Sequence, residues 1–286
     1  MFEEAEDLKE TRVGDVALHY VDRGTGVPLV FAHGGLDDYR YWTPHLEPFR
    51  RGYRTIAYSR RYNHPNARPP DRADYSAAVD ADDLARLLDH LGVTRACVVG
   101  ASYGGFAALL LALRRPDLVR SLVLAEAALL GWVPNLPGGR AVYDAFMVRL
   151  WRPVREAFRS GDIDGALRTA SDMFAGPGIF DDLPPEVLRY MRDNALEWDV
   201  LTSSTDPFPY VPREAVHALT IPVLLMSGER TIDVHRLIDR ELEGLLPDVR
   251  RVVIPAAGHD MWTEAPLVCR GHLEAFLGGT GAPDVA

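Results

Sequence analysis

Apolar positions along this chain fall into two periods. Short unbroken runs rich in valine, leucine and isoleucine recur as PLVFAHG, RTIAYS, ACVVGAS, SLVLAE, PVLLMSG and RRVVIP, each bounded by glycine, proline or another turn-former. Runs of this length without alternation are those of strands covered on both faces. Between strands the period lengthens: Leu84, Leu87, Leu88 and Leu91 fall on one face of a helix, with Ser76 as its capping candidate and Gly92 as its stop. Strands alternating with helices predict an α/β protein whose mostly parallel central sheet is flanked by helices and joined by right-handed crossovers. Such sheets bind ligands in the loops beyond the carboxyl ends of their strands.

The alternation stops between about residues 131 and 219. There RAVYDAFMVRLWRPVREAFRSG and PPEVLRYMRDNALEWDVL succeed one another without a convincing strand. The organisation expected is a core in two parts, residues 1–130 and 220–286, interrupted by a helical cap over residues 131–219. The cap is rich in aromatics, most of which an insertion needs for its own buried stripe. Trp132 and Trp198 are the two assigned to substrate. The terminal GGTGAPDVA reads as a frayed end.

Composition narrows the function classes. Of 286 residues, 47% are apolar and 25% charged, an ordinary globular balance. No apolar run approaches the roughly 18 residues that a membrane span needs. A formal charge of −10 disfavours nucleic acid and anionic membrane as partners, and the basic residues cluster only locally, in FRRGYR and YSRRYNHPNAR. A small neutral molecule fits better, bound by a monomer or homodimer. The opening MFEEAEDLKE lacks the basic flank and apolar stretch of a secretory signal, so a cytoplasmic location is expected. Cys97 and Cys269 read as buried thiols rather than a bridge or part of a metal site.

The chemistry concentrates at three places. Gly100-Ala101-Ser102-Tyr103-Gly104 matches G-x-S-x-G, with a buried strand before it and a helical run after it. A nucleophile on so sharp a turn needs neighbours without side chains, and the helix that follows aims its N–H groups at developing negative charge. Serine also needs a base, and His259 in VVIPAAGHDMWTEAP lies after a late strand, on the sheet edge where Ser102 should be. His19, His45, His90, His217 and His272 have no such placement. Gly34 and Gly35 in FAHGGLDDYRYW follow an early strand, where backbone can approach a substrate oxygen. The oxyanion donors expected are the N–H groups of Gly35, or else Leu36, and of Tyr103.

HGG, GASYGG and AAGHDMWTEAP, in that order around a helical insertion, resemble the α/β-hydrolase superfamily over nearly the whole chain. The resemblance implies a serine hydrolase without a cofactor or metal. Ser102 stands where haloalkane dehalogenases and epoxide hydrolases carry aspartate, which argues against those chemistries. The acid departs from the usual pattern, because MSGERTIDVH puts Thr231 where most relatives have an aspartate. Two replacements offer themselves. Glu126 ends SLVLAE, the sixth strand of the fold it resembles, where a minority of relatives, zearalenone lactonase among them, carry a glutamate; Asp233 follows the seventh strand of that fold and could cap the next helix. An isolated glutamate leaving a buried strand would be costly to desolvate without a partner, which tilts the choice to Glu126.

In YSRRYNHPN, Arg60, Arg61, Tyr62 and His64 stand where relatives have an aspartate, arginine and glycine pattern. Arg60 is expected to pair beneath the site, and Tyr62 and His64, with Leu36, Trp132 and Trp198, to meet substrate. The reaction expected is hydrolysis of an ester or lactone of a hydrophobic molecule through an acyl-enzyme on Ser102. Alternatives are a C–C bond hydrolase or perhydrolase using the same three residues, and a ligand-binding receptor that turns over slowly.

Overall fold

A computed structural model describes residues 2–67 and 73–280. Its eight strands are β1 (Lys9–Val13), β2 (Val16–Arg23), β3 (Val27–Ala32), β4 (Tyr53–Tyr58), β5 (Ala96–Ala101), β6 (Val119–Ala125), β7 (Val223–Gly228) and β8 (Val249–Ile254). They form one sheet in the order β1-β2-β4-β3-β5-β6-β7-β8. β2 runs antiparallel to β1 and to β4, and every pairing from β4 onward is parallel. The six apolar runs are β3 to β8. The hairpin β1–β2 has no unbroken apolar run to mark it: β1 is exposed or partly exposed up to Val13, and β2 alternates between buried and partly exposed residues over its first half.

Helices cover both faces. α1 (Tyr39–Leu46), α12 (Met261–Glu264) and α13 (Pro266–Gly279) contribute to the core that holds Phe31, Trp42, Val99, Leu224 and Trp262. On the other face α2 (Ala77–His90), α3 (Ser102–Arg114) and α11 (Asp233–Leu245) bury Leu84, Phe106 and Ile238. Ser76 is the N-cap of α2 by backbone alone: its carbonyl accepts from Val79 and Asp80, and its hydroxyl makes no capping bond. Gly92, at φ +66°, ends that helix by letting Val93 N–H turn back to the Leu88 carbonyl.

Between β6 and β7 the chain makes a short 3₁₀ stretch, Leu130–Asn135, and then only helices: α4 (Gly139–Phe146), α5 (Arg152–Arg159), α6 (Ile163–Ala175), α7 (Ile179–Asp182), α8 (Pro185–Asp193), α9 (Ala195–Ser203) and α10 (Arg213–His217). A π-helical turn, Met147–Trp151, joins α4 to α5. No helix among the described residues is long and apolar enough to cross a membrane. Cys97 and Cys269 are buried free thiols. Of the terminal GGTGAPDVA, Gly278 and Gly279 complete α13, whereas residues 281–286 lie outside the described residues, as does Arg68 of the second basic cluster.

Candidate active site

Ser102 opens α3 at φ +49°, a left-handed conformation that residues with a β-carbon avoid. The turn that holds it leaves no room for side chains. A β-carbon on Gly104 would stand 2.2 Å from the His33 carbonyl oxygen, and one on Gly100 would stand 2.6 Å from Gly105 Cα. The serine is thereby presented, half-buried, to a cavity of about 260 Å³ at the carboxyl end of the sheet. His259 and Leu36 line the same cavity, with Phe146, Trp151, Phe174 and Trp198 from the helices between β6 and β7. The Ser102 hydroxyl makes no hydrogen bond among the described residues.

His259 sits in the loop between β8 and α12. Its Nδ1 donates to Glu126 Oε2 at 2.5 Å. A carboxylate can only accept, so Nδ1 carries the proton and Nε2 of the neutral ring is left able to take one. Glu126 follows β6 directly, at φ +51° and with its side chain fully buried. It receives two further hydrogen bonds: Gly228 N–H donates to Oε1 at 2.7 Å, and the Thr231 hydroxyl donates to Oε2 at 2.6 Å. Burial pushes this carboxyl up, yet the hydrogen bond from His259, the charge His259 carries when protonated and the Thr231 hydroxyl outweigh it and hold the group below its ordinary value. Thr231, at the position where the resemblance leads one to expect the acid, instead donates to Glu126.

Asp233 is placed elsewhere. Its side chain is 72% exposed and pairs with Arg236 one turn along. It is the first residue of α11, whose N-cap is Ile232, so it is not the capping residue that the sequence suggested.

Two aromatic rings lie against the face of His259. Phe174 stacks at 4.7 Å and His235 at 4.4 Å between centroids. His235 went unnoticed in the sequence, where a histidine early in an amphipathic helix carries no signal. Burial, followed by the charge of His259, pushes its value down to about 3, so it stays neutral. Ligand atoms of Glu126, His235 and His259 come within 4.8 Å of one another. The set does not suit a metal ion, because a ligated ion must lie in the plane of each imidazole and these two rings stack 14° from parallel.

The loop after β3 supplies backbone donors. Gly35 N–H and Tyr103 N–H have no acceptor among the described residues. Leu36 N–H is ruled out as the alternative donor, since Glu197 Oε2 accepts from it at 3.2 Å. Gly35 must be glycine because a β-carbon there would meet Trp198 Nε1 at 2.3 Å. Beneath the loop, buried Arg60 uses every donor it has: Nε to the His33 carbonyl, Nη1 to Tyr75 and Asp80, Nη2 to the Gly34 carbonyl and Glu197. His33 Nε2 accepts from Arg60 N–H, so its Nδ1 is protonated and donates to the Gly34 carbonyl at 2.8 Å.

Of the substrate contacts expected, Leu36 and Trp198 line the cavity, and Trp132, Tyr62 and His64 do not. Trp132 is buried in the core, its Nε1 donating to the Val211 carbonyl at 2.7 Å. Tyr62 is packed edge-on against Tyr75 at 4.7 Å. His64 turns away, its Nε2 bonded to Glu4 and its backbone N–H donating to Asn194. Arg61 pairs with Asp83 and Asp15. Of Arg60, Arg61, Tyr62 and His64, Arg60 bonds to the loop after β3, and none of the four lines the cavity.

Comparison with known proteins agrees with this architecture. A family model described as the alpha/beta hydrolase fold matches residues 27–266. The carboxylesterase YbfK of Bacillus subtilis is 27% identical over 263 residues, covering 88% of this chain and 80% of its own. Its crystal structure superposes with a TM-score of 0.77 at 22% identity, covering 97% and 93%. The enol-lactonase of Burkholderia xenovorans LB400 superposes with a TM-score of 0.75 at 20% identity, covering 94% and 100%. The match to the bifunctional epoxide hydrolase 2 of Sus scrofa, at 21% identity over 87% of this chain, spans half of that protein's length. From fold, elbow and family match together, the chain belongs to the α/β-hydrolase fold family and is a hydrolase of that family.

Proposed function

We propose that this protein is a serine hydrolase that cleaves a carboxylic ester or lactone of an apolar small molecule through an acyl-enzyme on Ser102. One observation carries the reading: a serine on a strained, glycine-walled turn shares its cavity with a histidine whose Nδ1 is tied to a buried, triply bonded carboxylate. The helices α4–α10 act as a cap, and their aromatic and aliphatic side chains favour a hydrophobic substrate. YbfK and the enol-lactonase, named for ester and lactone bonds, are in keeping with this choice.

His259 Nε2 takes the Ser102 proton as Oγ attacks the carbonyl carbon. The carbonyl oxygen becomes an oxyanion held by the N–H groups of Gly35 and Tyr103, at the amino end of α3. Glu126 keeps the proton on Nδ1 and stabilises the imidazolium that forms. Collapse breaks the bond to the alcohol oxygen, which leaves with the proton from His259. His259 then deprotonates a water, whose hydroxide attacks the acyl carbon; the bond to Ser102 Oγ breaks, the carboxylic acid leaves, and Ser102 takes the proton back from His259. With a lactone the leaving oxygen stays tethered to the acyl group, so a single hydroxy acid is the product.

Fluorophosphonate labelling tests this without knowledge of the substrate. The expected result is a single modified peptide carrying Ser102, with labelling abolished in His259→Ala. An unmodified Ser102 in folded protein would sink the proposal.

A further inference from the structure

Loop 34–38 does not hold its own shape. Leu36 stands at φ +61°, which a leucine does not adopt unaided, and the Gly34 carbonyl, the Leu36 and Asp38 amides and the Asp37 and Asp38 carboxylates are each bonded to residues distant in sequence. Below the loop, Arg60 and His33 both donate to the Gly34 carbonyl. In a trans peptide the N–H points opposite to the carbonyl, so pinning the Gly34 oxygen inward turns the Gly35 N–H outward. Above the loop, the contacts come from α8 and α9. Tyr190 OH accepts from Asp38 N–H at 3.0 Å and donates to Asp37 at 3.3 Å. Asn194 Nδ2 donates to Asp38 Oδ2 at 2.7 Å, and Glu197 Oε2 accepts from Leu36 N–H. Tyr190, Asn194, Glu197 and Trp198 are spaced as one helix face, carried across the short break at Asn194.

Glu197 joins the two layers. Its side chain is fully buried; one oxygen meets Arg60 Nη2 at 2.7 Å and the other meets Leu36 N–H. A buried carboxylate is tolerable only when its charge and lone pairs are met, and here they are met by the arginine that pins Gly34 and the amide just beyond Gly35.

We infer that Glu197, assisted by Tyr190, is a positioning residue that clamps loop 34–38 so that the Gly35 N–H is held toward the reacting carbonyl oxygen. The clamp rests on the serine-hydrolase reading and adds to it: the helices over the cavity complete the oxyanion hole as well as bounding the substrate.

The test compares Glu197→Gln and Tyr190→Phe with the wild type on a p-nitrophenyl ester, with kcat normalised to fluorophosphonate-titrated Ser102. An amide at position 197 can accept from Leu36 N–H or from Arg60, but must turn its NH₂ against the other. Freeing the loop without removing its donor should lower kcat about 10- to 100-fold for Glu197→Gln and less for Tyr190→Phe. Affinity for a trifluoromethyl ketone, which forms a tetrahedral adduct, should fall by the same factor as kcat/KM. The acid limb of the pH profile should not move, because His259 and Glu126 are untouched. A substitution that merely destabilised the fold would lower the titratable fraction and leave kcat per titrated serine intact. That result in both variants, or a fall in kcat/KM without a matching fall in ketone affinity, overturns the clamp. Tyr190→Phe keeps the question decidable if Glu197→Gln fails to fold. A wild type that neither labels nor turns over would instead remove the hydrolase reading, and the clamp with it.

Discussion

Replacing Glu126 by glutamine changes one atom at the most heavily bonded carboxylate of the site. Three donors surround it: Gly228 N–H on one oxygen, Thr231 hydroxyl and His259 Nδ1 on the other. The amide has two ways to fit. With its oxygen on the Thr231 and His259 side, its NH₂ faces the Gly228 N–H, leaving donors opposed in a buried site at a cost of about 1–3 kcal/mol. With its oxygen on the Gly228 side, its NH₂ faces His259, and the imidazole relieves the clash by moving its proton to Nε2; the Thr231 hydroxyl rotates to accept. The second arrangement leaves no two donors opposed and therefore wins. It also leaves His259 in the tautomer that cannot take a proton from Ser102, a loss worth about 10⁴ in kcat where such a swap has been made in a serine protease, or about 5.5 kcal/mol of barrier. The expected outcome is a folded protein, melting within a few degrees of wild type, whose steady-state kcat falls by about three to four orders of magnitude. Ester turnover and calorimetry on the same preparation measure both halves. Retention of a tenth or more of the activity by Glu126→Gln, with a collapse in Asp233→Asn, would refute the assignment of the acid.

Three further outcomes follow from particular contacts. Gly104→Ala places a β-carbon 2.2 Å from the His33 carbonyl oxygen, a backbone atom that cannot step aside; a loss of about 1–3 kcal/mol in urea unfolding, with activity lost in parallel, is expected. Trp132→Phe removes the hydrogen bond to Val211 but no cavity surface, so KM should hold while the melting temperature drops; a changed KM would return Trp132 to the substrate. Asp239, fully buried against Ser227, is pushed up to about 7, first by burial and then, against the Ser227 hydrogen bond, by the charge of Glu126. A folded value above the unfolded one means that the stabilisation is complete below about pH 4 and is lost as the pH rises through 7, at up to about 1.4 kcal/mol per pH unit. Asp239→Asn cannot ionise, so its stability relative to wild type should improve between pH 5.5 and 8; parallel melting curves over that range would contradict this.

Of the four described residues with β-carbons in the left-handed region, Leu36, Ser102 and Glu126 belong to this one site, and the fourth, Ala256, lies in the loop that carries His259. Each of the first three is held by contacts from outside its own segment: the Leu36 amide by Glu197, the Ser102 carbonyl by the Ala128 amide, the Glu126 carboxylate by Gly228, Thr231 and His259. Strain of roughly 1–3 kcal/mol at each is sustained only because the surrounding fold over-determines the geometry.

The sequence by itself determined the parts of this protein that are written locally. Unbroken valine and leucine runs specify β3 to β8 because a strand buried on both faces has no polar positions to spare. The glycines around Ser102 specify the turn because no other residue fits it, and His259 stands out because it follows the last strand on the edge that the turn defines. Only the tertiary structure decided which distant groups meet. Glu126 and Asp233 are both carboxylates near strand ends, and sequence leaves them nearly equivalent. The pairing of β6 with β7 and of β7 with β8 brings the Glu126 side chain to Gly228 and His259, whereas the first turn of α11 leaves Asp233 in solvent. The same holds for Glu197, bonded to an amide 161 residues away, and for Tyr62, His64 and Trp132, whose residue types suited a pocket that their backbones do not reach. Periodicity reports which side of an element is buried, but not what it is buried against; that depends on strand order and on how the helices α4–α10 pack over the sheet, which no local pattern contains.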